Sequence, residues 1–77
     1  MTLYDLANTT TIQGNIEIKI FDADGIETEC RFYRDQDDFN PLYNDCDDVE
    51  EYDVSYIYPR KSADDTTWLT IEIVLDE

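Results

Sequence analysis

Ile16-Glu17-Ile18-Lys19-Ile20-Phe21-Asp22-Ala23-Asp24-Gly25-Ile26-Glu27-Thr28-Glu29-Cys30-Arg31-Phe32-Tyr33 is the stretch whose reading decides the fold class. Side chains of a strand point alternately to the two faces of a sheet, so strict apolar and polar alternation marks a half-buried strand. From Thr10 to Asp22, Ile12, Ile16, Ile18 and Ile20 fall on one face with Gly14 in their row, and Gln13, Asn15, Glu17 and Lys19 fall on the other. Gly14 interrupts the row and marks a bulge or a close approach by another element. Asp24-Gly25 then stands between two alternating runs, a strong short-range hairpin signal, so Ile26 to Arg34 is expected to pair antiparallel with the first strand. On this reading Ile26, Thr28, Cys30 and Phe32 face inward, while Lys19 and Arg31 lie among Glu17, Glu27 and Glu29 outside.

Working outward, Glu51 to Pro59 resumes strand character, with Tyr52, Val54, Tyr56 and Tyr58 on one face and Asp53, Ser55 and Ile57 on the other. Pro59 donates no ladder hydrogen bond and ends this strand or places it at an edge. Arg60 to Thr66 reads as a turn, and Trp68 to Leu75 as a last strand with Leu69, Ile71, Ile73 and Leu75 inward and Trp68, Thr70, Glu72 and Val74 outward. At the other end, Thr2 caps a short segment with Leu3 and Leu6 three apart, which predicts one helical turn laid on the sheet; an N-terminal edge strand is the alternative. The expected architecture is one domain over residues 1–77, all-β or β-dominated α+β. It is a curved four-stranded antiparallel meander with a long acidic crossover between strands 2 and 3. The expected inward set is Ile12, Ile16, Ile18, Ile20, Cys30, Phe32, Val54, Tyr56, Leu69, Ile71 and Ile73.

Charge is the unusual quantity. Twenty Asp and Glu against five Lys and Arg leave a formal net charge of -15, far outside the roughly 2 to 8 of an ordinary small domain. Such a field disfavours direct binding to nucleic acid or anionic lipid and favours basic partners or cations. Mutual repulsion is expected to raise carboxylate pKa values in the folded state, so that stability falls as pH rises through that window.

The crossover concentrates this charge. Asp35, Asp37, Asp38, Asp45, Asp47, Asp48, Glu50, Glu51 and Asp53 lie in a segment without Lys or Arg. Phe39, Leu42, Tyr43, Val49 and Tyr52 are interleaved with them, which predicts a loop pinned to a core rather than a solvated tail. These nine carboxylates are the candidate partner-binding residues, forming one electronegative surface for a basic protein surface. Its sharpest form is mimicry of nucleic acid against a DNA- or RNA-binding protein: a domain about 30 Å across spans a length of duplex carrying about 18 phosphates. Two other readings compete, a soluble structural domain whose acidity serves solubility alone and a weak divalent-cation binder.

Specific chemistry has less to stand on. Asp22-Ala23-Asp24-Gly25 and Asp45-Cys46-Asp47-Asp48 begin like calcium loops but lack the remaining ligands, and with no His and two dispersed Cys a zinc site has no donor set. No His also means no side chain naturally poised as a base near neutrality, and Ser55 and Ser62 stand in no nucleophile motif. The expectation is therefore no enzyme, no cofactor and no metal. A stacking platform of Tyr52, Tyr56, Tyr58 and Trp68 for single strands conflicts with the surrounding charge, because such platforms sit in basic grooves. No secretory signal follows Met1 and no run approaches a transmembrane span, so the expectation is a cytoplasmic monomer or weak dimer, off the membrane, with Cys30 and Cys46 as free thiols.

Thr11-Ile12-Gln13-Gly14-Asn15-Ile16-Glu17-Ile18, Phe32-Tyr33-Arg34-Asp35-Gln36-Asp37-Asp38-Phe39 and Trp68-Leu69-Thr70-Ile71-Glu72-Ile73 together resemble the short acidic hypothetical proteins of mobile elements in gut Firmicutes. That group brings no activity to transfer residue by residue. The resemblance implies only an association, since small acidic proteins that mimic DNA to block restriction or CRISPR enzymes often come from such elements.

Overall fold

Alternation of isoleucine with polar residues places Gly14–Phe21 (β1) in the middle of the sheet, and the Asp-Gly turn returns the chain as Glu27–Gln36 (β2). The computed structural model describes residues 1–41 and 48–75. A capping box opens the helix Leu3–Thr9 (α1): Thr2 Oγ1 accepts from the Asp5 amide while Asp5 Oδ2 accepts from the Thr2 amide. The remaining strands are Asp53–Lys61 (β3) and Thr67–Val74 (β4).

The four strands form one sheet in the order β2-β1-β4-β3. The domain is β-dominated with one short helix, as expected, but the sheet is mixed and is not an antiparallel meander. Two antiparallel hairpins meet along a parallel seam of β1 and β4, with Ile16 opposite Leu69, Ile18 opposite Ile71 and Ile20 opposite Ile73. The physical reason lies in the apolar rows. β1 and β4 carry the two densest isoleucine runs, and placing them side by side at the centre buries both, whereas a meander would leave β1 and β4 at opposite edges. Ile16, Ile18, Ile71 and Ile73 are completely buried as a result.

One face of the sheet is the core face. Leu3 from α1, Ile12, Phe39 and Val49 close over the isoleucines, with Leu6, Tyr33, Tyr52, Val54, Leu69 and Leu75 packed around them. The predicted anchors Phe39 and Val49 are both buried, and the Phe39 amide donates to the Ile12 carbonyl at 2.8 Å. Thr2 also forms a β-bridge with Asp53, so the N-terminus combines the expected helical turn with the strand-like alternative.

Three members of the expected inward set are displaced. Across from β1, Tyr33, Arg31 and Glu29 oppose Ile16, Ile18 and Ile20, so Cys30 and Phe32 stand on the opposite face and Phe32 is 54% exposed. A register shift between Ile20 and Phe21, next to the turn, sets this phase. A second irregularity between Val54 and Tyr56 turns Val54 to the core and Tyr56 and Tyr58 away from it. A one-residue slip exchanges the faces of every residue that follows. The bulge expected at Gly14 is present, with φ of 97° and a register shift before Ile16.

Both turns share one geometry. In the first, the Gly25 amide donates to Asp22 O and Gly25 takes a φ of 81°; in the second, the Asp65 amide donates to Ser62 O and Asp65 takes a φ of 70°. Each is a three-residue loop closed by a left-handed residue.

Candidate functional site

The acidic crossover leaves the sheet at the Gln36 end of edge strand β2, beside Gly14, and rejoins it at Asp53 of edge strand β3, opposite Val74. Those are opposite ends of opposite edges, and in its described residues the segment packs on the core face. It is held by Phe39 and Val49 beneath it, by the Tyr4 and Leu3 amides donating to Glu50 O and Tyr52 O, and by Arg31 of β2.

Arg31 grips Asp48 with two 2.9 Å hydrogen bonds and also pairs with Glu29. The guanidinium holds the Asp48 carboxyl below its ordinary range, the hydrogen bonds outweighing a small desolvation. Asp48, one of the nine candidate residues, therefore fastens the segment to the sheet. Asp53 lies 3.8 Å from the N-terminal ammonium. Asp35, Asp37, Asp38 and Glu51 are exposed and have no cation within ion-pair distance among the described residues, and Glu50 is half-buried. Asp45 and Asp47, like Leu42, Tyr43 and Cys46, lie outside the described residues. The described members of the candidate set thus fall in two groups, Asp35, Asp37 and Asp38 on the Gln36 side and Asp48, Glu50, Glu51 and Asp53 on the side that rejoins the sheet. Among the described residues no three carboxylate or thiol groups converge in a metal-holding cluster.

The opposite face of the sheet has a different character. Glu17, read from the sequence as an outer-face residue, is only 1% exposed. Arg60 donates to it from Nε at 2.8 Å and Nη2 at 2.6 Å, Thr70 Oγ1 donates at 2.7 Å, and Cys30 Sγ donates at 3.6 Å. Burial pushes the Glu17 carboxyl up, but these donors together with the Arg60 charge leave it below its ordinary value. Burial and the facing Glu17 push the Cys30 thiol up to about 11, which keeps it protonated as a donor. Nearby, Lys19 pairs with Glu27, and Tyr58 donates to Glu72, whose charge it leaves in place.

Beside that cluster lies an open cavity of about 470 Å³ lined by Phe32, Arg34, Arg60, Ser62, Asp64 and Trp68. Trp68, expected outward, does lie on the outer face yet is buried there: the Phe32 ring meets it edge-on at 5.1 Å and the Arg34 guanidinium lies 4.8 Å from its ring centre. The sequence reading missed this groove because it turned Phe32 inward. Once Glu17 and Phe32 are in phase, Phe32, Arg34, Arg60 and Trp68 all share a face, and that phase is the signal that identifies them.

Compared with protein-family models, curated proteins and solved structures, the chain matches none. Among the described residues, no helix is long and apolar enough to cross a membrane.

Proposed function

We propose that this protein is an acidic interaction module whose crossover segment binds a basic protein surface, in its sharpest form one that ordinarily receives nucleic acid. The observation that carries the reading is the combination of exposed Asp35, Asp37, Asp38 and Glu51, in no ion pair among the described residues, with buried Phe39 and Val49 in the same segment. Charges held in place by buried anchors need little further ordering on association, so their attraction is not spent on fixing a floppy loop. Electrostatic steering by such a surface gives fast, salt-sensitive encounter. The longest dimension, 34 Å, matches a length of duplex with about 20 phosphates, comparable to the net charge of -15. The association implied by the resemblance to mobile-element proteins points the same way. On this reading the module has no catalytic role and works in the cytoplasm as a monomer or weak dimer.

The test replaces Asp35, Asp37 and Asp38 together by Asn, leaving Asp48 to hold the segment. Wild type and variant are immobilised, and partners are captured from cytosol at two salt concentrations with duplex DNA as competitor. Capture lost in the variant, weakened by salt and competed by DNA supports the reading. Capture that is the same for both proteins leaves acidity with a solubilising role, and capture abolished by a chelator favours the divalent-cation alternative.

A further inference from the structure

The geometry points to a second binding site on the opposite face, a groove for a small planar aromatic monoanion of the carboxylate class, seated against Phe32 and held by Arg34.

Every basic side chain but one is committed to a carboxylate among the described residues: Lys19 to Glu27, Arg31 to Asp48 and Glu29, Arg60 to Glu17, and Lys61 to Asp65. The exception is Arg34. In a chain with four times as many acidic as basic residues, an unpaired guanidinium is the feature that needs explaining. Arg34 lies instead over the Trp68 ring at the wall of the cavity, a position in which its planar fork is oriented but its donors are unspent. Arg60 also lines the cavity and reaches Glu17 through Nε and Nη2, which leaves Nη1 outside that pair. The acidic wall residue, Asp64, accepts from Ser62 Oγ and the Thr66 amide, both through Oδ1, and keeps its negative charge, so the anion is met by Arg34 and not by this wall.

The remaining walls select the body of the ligand. Phe32 keeps more than half its surface in solvent and is the open aromatic wall, while Trp68, 3% exposed, backs Phe32 and Arg34 and fixes both in place. Aromatic walls with few convergent polar groups, in a cavity of about 470 Å³, are the ordinary make-up of a small-ligand site. Charge then limits the anion. A guanidinium fork matches carboxylate and phosphate alike, but repulsion from the rest of the molecule grows with ligand charge, so a monoanion is favoured over a dianion.

The test uses the single tryptophan as a reporter. The indole Nε1 and Arg34 Nε signals are followed by 15N NMR while 2-naphthoate, 2-naphthalenemethanol, 2-naphthylmethylammonium and 2-naphthyl phosphate are titrated in turn. The expected result is saturable shifts centred on Trp68 and Arg34. Naphthoate should bind about tenfold or more tighter than the alcohol, as one charged hydrogen-bonded contact implies, and tighter than the ammonium and the phosphate. Arg34→Gln should remove the advantage of naphthoate and leave alcohol binding in place, and Arg34→Lys should restore part of it. Phe32→Ser should weaken the carboxylate and the alcohol together, with amide dispersion checking that each variant is folded. The inference is overturned if the ammonium binds as tightly as the carboxylate, if Arg34→Gln leaves the order unchanged, or if shifts fail to saturate or spread evenly over the chain.

Discussion

Arg60 reaches across strand β4 to close a two-point ion pair on Glu17 of β1, although β3 and β1 share no ladder. The pair therefore ties the two hairpins together on the face that the core does not cover. Thr70 of β4 completes the arrangement from beneath.

Removing one partner leaves the other without compensation. Arg60→Met should destabilise the fold by about 2 to 4 kcal/mol in denaturant unfolding, somewhat below a fully buried pair because a third of the Arg60 side chain stays in solvent. Glu17→Leu combined with Arg60→Met should recover much of that loss, since the buried charge is then gone as well. A double variant no better than Arg60→Met alone would show that packing of the arginine stem, rather than charge, is what is lost.

The expected acid response reverses that anticipated from overall charge. Asp5, Glu17, Asp48 and Asp64 are the described carboxylates with displaced titration, and all four are displaced downward by local donors. A folded-state value below the unfolded one contributes stability that is present above the unfolded pKa, about 4 to 4.5, and is lost as pH falls through the folded value. Stability from these groups should hold at neutral pH and fall on acidification. The gap between wild type and Glu17→Gln in urea midpoint should narrow below about pH 4; a gap independent of pH would mean that Glu17 has the same pKa in the folded and the unfolded state.

Phase along β2 is tested by two phenylalanines. Phe39→Ala should cost about 3 to 5 kcal/mol, because its ring is fully enclosed and packs on Tyr33. Phe32→Ala should cost about 1 kcal/mol, mainly its contact with Trp68. The reverse ranking in chemical denaturation would place Phe32 in the core.

The paired turns invite reciprocal substitutions. Gly25→Ala introduces a side chain where φ is 81° and should cost about 1 kcal/mol, whereas Asp65→Gly relieves the same conformation and should gain about 0.5 to 1 kcal/mol. The Lys61 pair that Asp65 gives up is highly exposed and offsets little of this. Melting temperatures shifting in opposite directions would bear this out; a lower melting temperature for Asp65→Gly would show that the aspartate side chain matters more than its backbone.

Periodicity made β1 and β4 legible in register and face, and the Asp-Gly pair and the Thr2 cap located a turn and a helix start. Phe39 and Val49 were legible as anchors because isolated apolar residues in so acidic a segment have little other use. Strand order was not legible, since which isoleucine row lies beside which is a long-range packing choice with no local mark. The phases of β2 and β3 were lost at the irregularities beside Phe21 and Ser55, where one residue exchanges the faces of Phe32 and Tyr56. Glu17 and Arg34 were hidden for the same reason: a carboxylate on the polar face of a strand looks solvated until its neighbours across two strands are known.

The parallel seam has a consequence for how the chain reaches this structure. Each hairpin closes through a short turn, but Glu17 and Thr70 across the seam are separated by 53 positions. Loop closure of that length is slow and entropically costly, so the seam sets the folding rate while the hairpins form ahead of it. During synthesis the first hairpin emerges with one flank of its isoleucine row uncovered, and it stays so until β4 has left the ribosome. For that interval the density of like charges has a second use, keeping nascent chains apart while the apolar row waits for its partner.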